Sequence, residues 1–211
     1  MAYEFGKNYF YGYKDSNYLN YEKLNPSKLF EGILYFIRKY DIKGDILDVG
    51  CAFGFLLKEL SQTFDKLYGF DVSNFAIERA KKVVPEAKLK VSSLEDSLPY
   101  TGKKFDCITA VDVLEHTKDF EKNFGKIAKK LKRGGFLIVS TPLQGWPRKA
   151  FWFMDKDKTH ISVLGEEKLQ RIIEKNGLDA IEKRYYLPFP LIYRIPGIPF
   201  SVEILLQKNK I

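Results

Sequence analysis

The sequence has few of the residues that build disulfide frameworks and metal knuckles. Its 211 residues include only two cysteines, Cys51 and Cys107, and only two histidines, His116 and His160. Two cysteines so far apart along the chain fit reduced thiols better than a disulfide framework or a structural zinc site. A disulfide scaffold and a zinc-knuckle fold are therefore excluded.

Long apolar runs are also missing. No uncharged apolar run reaches the roughly 18 residues that a membrane span requires. The N-terminus, Met-Ala-Tyr-Glu-Phe-Gly-Lys-Asn, lacks the basic-then-apolar pattern of a signal peptide. We therefore expect a cytoplasmic protein without a transmembrane segment.

The overall composition is that of an ordinary globular protein. Hydrophobic residues make up 45% and charged residues 29%, which excludes disordered, collagen-like and coiled-coil classes. The formal net charge of +8 could attract nucleic acid or an anionic membrane, but a compositional bias toward lysine accounts for it as simply. The length favours one domain with a full core.

Between residues 29 and 140, short apolar runs alternate with amphipathic stretches. This alternation predicts an α/β fold with helices on both faces of a mostly parallel sheet. Two late strands without a helix between them predict an antiparallel hairpin at the C-terminal edge. The seven predicted strands are 45–49, 66–70, 88–91, 105–111, 136–140, 178–187 and 200–207, and the predicted helices are 26–40, 55–62, 74–83, 118–131 and 166–176.

Three segments stand outside this alternation. Residues 1–28 are rich in aromatic side chains and predict a cap on a main domain of residues 29–211. The cap either seals core surface or covers a ligand. Segments 142–163 and 187–199, which carry prolines and aromatic residues, predict a lid or substrate segment. The apolar 187–199 segment could also touch a membrane or a second subunit.

A glycine-bearing segment follows the first predicted strand. The chain leaves that strand through Asp48-Val-Gly-Cys-Ala-Phe-Gly54 and enters a predicted helix. Glycine has no Cβ, so the backbone amides of such a turn can approach a ligand closely. Ala52 and Phe55 stand where the dinucleotide fingerprint G-x-G-x-x-G needs glycine, which disfavours an NAD-dependent oxidoreductase.

An acidic residue ends the second predicted strand. Asp71 follows Gly54 by 17 residues and precedes Ser73 and a predicted helix. A carboxylate at this position can accept hydrogen bonds from a ribose diol. The same carboxylate could also serve as a helix cap.

Five motifs, in their order along the chain, resemble those of class I S-adenosylmethionine-dependent methyltransferases over roughly residues 29–207. Ala52 replaces the usual middle glycine, and Ser93 stands where the family often has aspartate. The resemblance implies a Rossmann-like three-layer sandwich. The motifs are DVGCAFG (48–54), GFDVSNFAIERAKK (69–82), SSLEDSLP (92–99), FD with VDVLEH (105–106 and 111–116), and LKRGG (131–135).

The resemblance implies S-adenosylmethionine as cofactor and S-adenosylhomocysteine as product. The glycine turn would pass beneath the methionine moiety, Asp71 would hold the ribose hydroxyls, and Ser93 with Leu94 would flank adenine. Asp48 would stabilise the turn. Phe53 and Val72 would either form the apolar sides of the adenosine pocket or pack in the core. The implied cofactor-binding residues are Asp48, Gly50, Cys51, Ala52, Phe53, Gly54, Asp71, Val72, Ser93, Leu94 and Val111.

The two histidines are the candidate catalytic residues. Either could remove a proton from a hydroxyl or amine acceptor. His116 follows the fourth strand at its carboxyl end, and His160 lies in a segment that resembles an Asp-x-x-His-Ile pattern of small-molecule methyltransferases. A structural role for each histidine remains an alternative, because a leaving proton can also go to water.

We predict no metal ion. The alternative is a divalent ion on Asp112, Glu115 and His116, because relatives with an E-x-x-E-H version of this pattern bind one. These relatives include ubiquinone-biosynthesis O-methyltransferases and small-RNA 2′-O-methyltransferases.

The sequence thus predicts methyl transfer by in-line displacement to an O, N or C atom of a small-molecule acceptor. An aromatic, quinone-like or glycan-related acceptor is favoured. The alternatives are an RNA or protein methyltransferase and a noncatalytic cofactor-binding module. The oligomeric state stays open.

Overall fold

The computed structural model describes residues 5–12, 16, 20–150, 157–189 and 193–210. Eight strands form one sheet in the order β3-β2-β1-β4-β5-β8-β6-β7. The first five strands in this order pair in parallel, and the pairs β5–β8, β8–β6 and β6–β7 are antiparallel. The strands are β1 (Asp45–Val49), β2 (Lys66–Asp71), β3 (Lys88–Val91), β4 (Phe105–Val111), β5 (Leu131–Pro142), β6 (Leu178–Phe189), β7 (Tyr193–Pro196) and β8 (Ser201–Lys208).

Helices connect the parallel strands, and capping residues fix where several of them begin. The side chains of Asn25, Ser73 and Asp119 accept hydrogen bonds from the first-turn amides of α2, α5 and α6. The helices are α1 (Lys7–Phe10), α2 (Pro26–Leu29), α3 (Glu31–Lys39), α4 (Phe55–Glu59), α5 (Asn74–Val83), α6 (Phe120–Lys129), α7 (Trp146–Ala150) and α8 (Glu166–Lys175), with 3-10 turns at Tyr21–Lys23 and Leu114–His116.

Two apolar layers separate the helices from the sheet. Buried side chains of α6 and α8, such as Phe124 and Ile172, pack on one face. Buried side chains of α3, α4 and α5, such as Phe36 and Leu57, pack on the other face. This arrangement confirms the predicted α/β three-layer sandwich. Among the described residues, no helix combines the length and the apolar character that crossing a membrane requires.

The sheet has one strand more than the seven predicted. β7 (Tyr193–Pro196) lies inside the segment 187–199 that was predicted as an irregular lid. Pro196 is tolerated because β7 is an edge strand, where a missing backbone donor leaves no interior ladder bond unmade. The two late strands pair antiparallel as predicted, but β8 lies inside the sheet between β5 and β6. The edge hairpin is formed by β6 and β7.

The predicted helix 118–131 ends earlier than expected, because residues 131–135 belong to β5. Leu131 pairs with Phe105, and the register then shifts before Phe136 pairs with Cys107. A Cβ on Gly135 would meet the carbonyl oxygen of Phe105 at 3.1 Å. Gly135 therefore allows a close approach of β5 to β4. The helix that the sequence predicts over 118–131 ends at Lys129 instead.

The predicted cap and lid segments are described in part. Phe10 and Tyr21 are buried against Phe53 of the main domain. Residues 151–156 and 190–192 of the two predicted lid segments lie outside the described residues. The domain boundary at residue 28 and the lid role stay predictions.

Candidate functional site

The glycine turn connects β1 to α4 and is bound to the neighbouring strand β2. The amides of Gly50 and Cys51 both donate to the carbonyl oxygen of Phe70, at 2.9 and 3.0 Å. The amide of Gly54 donates to the carbonyl oxygen of Cys51 at 2.8 Å. The turn is therefore a fixed structure at the carboxyl end of the sheet, which is where ligands bind in folds of this class.

Asp71 joins this turn to the beginning of α5. Its Oδ2 accepts from the amide of Ala52 at 2.9 Å, and its Oδ1 accepts from the amide of Ser73 at 2.8 Å. Burial raises the pKa of Asp71, while these backbone hydrogen bonds lower it. A carboxylate offers about four lone-pair positions, so two amides leave capacity for further donors. The acid of β2 and the turn of β1 thus form one hydrogen-bonded unit.

The replacement of the family's middle glycine by alanine has a backbone cost. Ala52 has a φ of +45°, in the left-handed region, and Gly54 has a φ of +75°. A residue with a Cβ in this region is strained by about 1–2 kcal/mol. A Cβ on Gly54 would lie 2.8 Å from Cγ1 of Val84. Close ligand approach was the predicted reason for glycine at position 54, but packing inside the protein requires it as well.

Asp48 lies within β1, beneath the turn. It is buried and accepts a hydrogen bond from the hydroxyl of Thr109 at 2.7 Å. Burial and the nearby Asp71 raise the pKa of Asp48 to about 7, although the Thr109 bond opposes the shift. Burial likewise raises the pKa of Cys51, so its thiol stays protonated and packs as an apolar group.

An aromatic cluster covers the turn. The ring of Phe53 is buried with its centroid 4.7 Å from that of Phe10 and 5.2 Å from that of Tyr21. Phe55 and Phe75 complete the cluster around Phe53. Phe53 therefore packs against the N-terminal segment, which is the core-packing alternative considered for it.

The remaining predicted cofactor residues lie around the sheet edge with different exposures. Val72 is half exposed and Leu94 is buried. The hydroxyl of Ser93 accepts from the amide of Glu95 at 3.1 Å, which forms a local turn. Val111 is partly buried at the end of β4 and packs against the core layer of α3 and α4.

The structure brings the two histidines together. His116 ends the 3-10 turn after β4, and its ring centroid lies 4.8 Å from that of His160. The segment that carries His160 is bound to this turn, because the amides of Ile161 and Ser162 donate to the carbonyl oxygen of Glu115 at 2.9 and 3.0 Å. Two distant parts of the chain thus form one polar cluster.

Three residues that the sequence analysis assigned no role complete this cluster. Nδ1 of His116 lies 2.6 Å from the hydroxyl oxygen of Thr159, and that hydroxyl lies 2.5 Å from Oδ1 of Asp157. The hydroxyl of Tyr9 donates to Oδ2 of Asp157 at 2.9 Å. The Asp157-x-x-His160 spacing was a signal for Asp157. No sequence signal pointed to Tyr9, which is 148 residues from Asp157 along the chain.

Glu115 is buried beside the histidines. Its Oε2 accepts from the hydroxyl of Thr141 at 3.2 Å, and its Oε1 has no hydrogen-bond partner in the part of the chain that the structure describes. Burial and the neighbouring Asp112 raise the pKa of Glu115 to about 8. At neutral pH the carboxyl is therefore largely protonated.

The residues with ligand spacing differ from the predicted metal alternative. Glu115, His116 and His160 each place one ligand atom within 4.8 Å of the others, and among the described residues this is the set that could hold an ion. Asp112 is not in that set. Its carboxylate accepts from the hydroxyl of Ser140 at 2.7 Å, and its φ is +52°.

A wide cleft of about 920 Å³ lies along α6, beside the 92–99 loop. Its lysines also bond to the protein backbone. Nζ of Lys126 donates to the carbonyl oxygens of Leu94, Glu95 and Asp96 at 2.8, 2.8 and 3.0 Å. The lysines that line the cleft are Lys103, Lys104, Lys122, Lys126, Lys129 and Lys130.

The order of motifs, the strand order and the polar cluster at the carboxyl end of the sheet define a methyltransferase-type domain. The family described as "Methyltransferase domain" matches residues 21–183, and the chain belongs to this family.

Curated relatives and solved structures are similar to the chain over most of its length. A ubiquinone biosynthesis O-methyltransferase of Bartonella quintana is 26% identical over 151 residues, which cover 65% of this chain and 61% of the relative. The chain thus matches only about three fifths of the length of that relative. An S-adenosylmethionine-dependent methyltransferase from Clostridium acetobutylicum has the same fold, with a TM-score of 0.69 and 16% identity over 89% of this chain and 94% of the other.

Another solved structure is that of magnesium protoporphyrin IX methyltransferase from Synechocystis PCC 6803 with bound S-adenosylhomocysteine. It has a TM-score of 0.67 and 17% identity, over 87% of this chain and 83% of that one. At these identities the two structures establish the fold of the chain.

Proposed function

We propose that the protein is an S-adenosylmethionine-dependent methyltransferase that acts on a small-molecule acceptor. The observation that carries this proposal is the hydrogen bond from the amide of Ala52 to Oδ2 of Asp71, at 2.9 Å. It joins the turn after β1 to the acid that ends β2, the two features that a nucleoside-bearing cofactor needs side by side.

The donor and acceptor groups of this site fit the cofactor. Asp71 retains lone pairs for the ribose hydroxyls after it accepts two amides. The turn from Gly50 to Gly54 would lie under the methionine moiety, and the 92–99 loop with Ser93 and Leu94 would lie beside adenine. The aromatic cluster of Phe10, Tyr21 and Phe53 would exclude water from this end of the site.

When bound, S-adenosylmethionine supplies an electrophilic methyl carbon on a sulfonium leaving group, so the protein has little covalent chemistry to perform. The chain therefore aligns the acceptor with the methyl group and takes up the one proton that the acceptor releases. His116 and His160 form the polar cluster that can hold a proton released by a hydroxyl or amine acceptor. For a carbon acceptor, the same two histidines would hold the proton that the carbon loses.

Two relatives support a small-molecule acceptor. The names of the Bartonella relative and of the Synechocystis enzyme refer to ubiquinone biosynthesis and to magnesium protoporphyrin IX. Both names refer to small, largely unsaturated molecules. We therefore propose an aromatic or quinone-like acceptor that is methylated at oxygen, nitrogen or carbon.

Isothermal titration of the purified chain tests the proposal without knowledge of the acceptor. We expect S-adenosylhomocysteine to bind and NAD to show no heat of binding. The variant Asp71→Ala should weaken the binding, and Asp96→Ala, which removes an exposed carboxylate from the neighbouring loop, should not. Absence of binding by the wild-type chain, or a preference for NAD, would contradict the proposal.

The lysine-lined cleft favours a second candidate, a methyltransferase with a polyanionic acceptor such as RNA. Against this candidate, Lys104, Lys126 and Lys130 already donate to backbone carbonyls and so have structural roles. An RNA acceptor predicts affinity that falls steeply with salt, with a slope set by the number of phosphates contacted. Titration with single-stranded RNA at increasing salt distinguishes the two candidate functions. We expect no complex with salt-dependent affinity if the acceptor is a small molecule.

A further inference from the structure

The hydrogen bonds around His116 restrict the position of its proton. Nδ1 of His116 lies 2.6 Å from Oγ1 of Thr159, and Oγ1 lies 2.5 Å from Oδ1 of Asp157. A threonine hydroxyl has one proton, so it can donate in only one of these two contacts. The hydroxyl donates to Oδ1 of Asp157, so its single proton belongs to that contact.

The other contacts of Asp157 fit an acceptor role. Its Oδ1 also accepts from the amide of Thr159 at 2.9 Å, and its Oδ2 accepts from the hydroxyl of Tyr9 at 2.9 Å. Burial and the nearby Asp157 raise the pKa of Tyr9 well above its ordinary value, so this hydroxyl stays protonated and donates. Three donors therefore converge on one carboxylate.

The contact that remains must be made by the histidine as donor. Nδ1–H of His116 donates to Oγ1 of Thr159, which leaves the ring's second nitrogen, Nε2, unprotonated in the neutral imidazole. Among the described residues, the side-chain hydrogen bond of the His116 ring is made at Nδ1 and not at Nε2.

We propose that Thr159, held by Asp157 and Tyr9, is a positioning residue that fixes His116 as the Nδ1–H tautomer and presents Nε2 to the proton of the methyl acceptor. This inference rests on the proposed function. As the acceptor heteroatom bonds to the methyl carbon and the carbon–sulfur bond breaks, the proton of that heteroatom passes to Nε2. The resulting imidazolium keeps its Nδ1–H bond to Thr159 and returns the Nε2 proton to solvent.

The N-terminal segment takes part in this arrangement. Tyr9 lies on α1 and is the residue that binds Oδ2 of Asp157, while Phe5 contacts the ring of His116 edge-on at 5.6 Å. Three separate parts of the chain, around residues 9, 116 and 159, therefore combine to orient one imidazole.

Nitrogen-15 NMR of the imidazole rings tests the proposal directly, because the chain has only two histidines. The variant His160→Gln assigns the two rings. We expect a protonated-type resonance for Nδ1 of His116 and an unprotonated-type resonance for Nε2 near neutral pH. In Thr159→Val the proton should move toward Nε2, and Thr159→Ser should restore the wild-type spectrum. An Nε2–H tautomer in the wild-type chain, or an unchanged tautomer in a folded Thr159→Val, would overturn the proposal.

A matched control removes a different hydroxyl from the same loop. Ser162 donates its hydroxyl to the carbonyl oxygen of Leu114 at 3.1 Å, so Ser162→Ala should leave the His116 tautomer unchanged. Thr159→Val should also bind S-adenosylhomocysteine like the wild type, because Thr159 is not among the implied cofactor residues. Loss of cofactor binding by the wild-type chain would count against the proposed function, whereas a wrong tautomer with intact binding would count only against this positioning role.

Discussion

Val113 occupies the space that a side chain at Gly50 would need. A Cβ on Gly50 would lie 2.3 Å from Cγ2 of Val113, and Gly50 has a φ of +70°. Val113 directly precedes the 3-10 turn that ends at His116. The contact therefore packs the glycine turn against the segment that leads to His116.

Gly50→Ala should lower the free energy of unfolding by about 1–3 kcal/mol, because the new Cβ overlaps Val113 and the φ is unfavourable. Adding Val113→Ala should recover part of this loss, which urea denaturation of the double-mutant cycle measures. Gly102→Ala is the control, since Gly102 has a φ of +75° with nothing within 4 Å of its Cβ position. Equal losses at both glycines, without rescue, would show that overlap with Val113 does not matter.

Asp71→Ala should weaken the binding of S-adenosylhomocysteine about 10- to 100-fold, or about 1–3 kcal/mol. The variant removes the acceptor of the Ala52 and Ser73 amides together with the proposed ribose contacts. Calorimetry with an analogue that lacks the ribose hydroxyls separates the two effects. The analogue should bind wild type more weakly than S-adenosylhomocysteine does, and Asp71→Ala should not distinguish the two ligands. A variant that still distinguishes them would place the ribose elsewhere.

Asp48 should make the stability of the protein depend on pH. Its pKa is raised from 3.8 to about 7 by burial, so the folded state binds a proton that the unfolded state releases in this range. The contribution of Asp48 to the free energy of unfolding is complete below about pH 4, where the group is protonated in both states. It decreases by up to about 1.4 kcal/mol per pH unit as the pH rises toward 7. Asp48→Asn, which keeps an acceptor for Thr109, should lose less stability over this range. Urea denaturation at about pH 5 and about pH 7 measures this difference. An equal change in the free energy of unfolding for the wild type and Asp48→Asn would refute the raised pKa.

Lys126→Met should reduce the affinity for S-adenosylhomocysteine severalfold. Methionine keeps an apolar stem but removes the ammonium that binds the carbonyl oxygens of residues 94–96, beside the proposed adenine position. Lys122→Met removes another lysine of the same cleft and should have little effect. Calorimetry at one salt concentration gives the comparison. A similar loss of affinity in both variants would indicate a general effect of charge.

Phe10→Ala should lower the free energy of unfolding by roughly 3 kcal/mol, as for other buried phenylalanines. Phe10 is 4% exposed, and its ring packs on Phe53 and Tyr21. Trp146→Ala is the control, because that side chain is 68% exposed and should matter by less than about 0.5 kcal/mol. Wild-type stability of Phe10→Ala in urea denaturation would show that the N-terminal segment unfolds separately from the domain.

The accuracy of the sequence-based predictions varied with the range of the interactions involved. Strands β1 to β4 and helix α5 were predicted closely, because each has its own local hydrophobic pattern or capping residue, as at Ser73. The single helix predicted over 26–40 is two helices, α2 and α3, in the structure. β7 was missed because its proline, Pro196, is acceptable only at a sheet edge, and the order of strands is not a local property. The first part of β5, residues 131–135, was missed because Gly135 serves a close contact with β4 that the local sequence does not show.

The sequence by itself determined the class of fold and the turn, the acid and the histidines that the candidate site combines. These features are carried by residue type and short spacing, which local chemistry constrains. The tertiary structure alone decided that Asp71 binds the turn, that Val113 limits Gly50, and that Tyr9, Asp157 and Thr159 orient His116. Such contacts join residues up to 148 positions apart, and only the packing of the sheet and its helices brings them within hydrogen-bond distance.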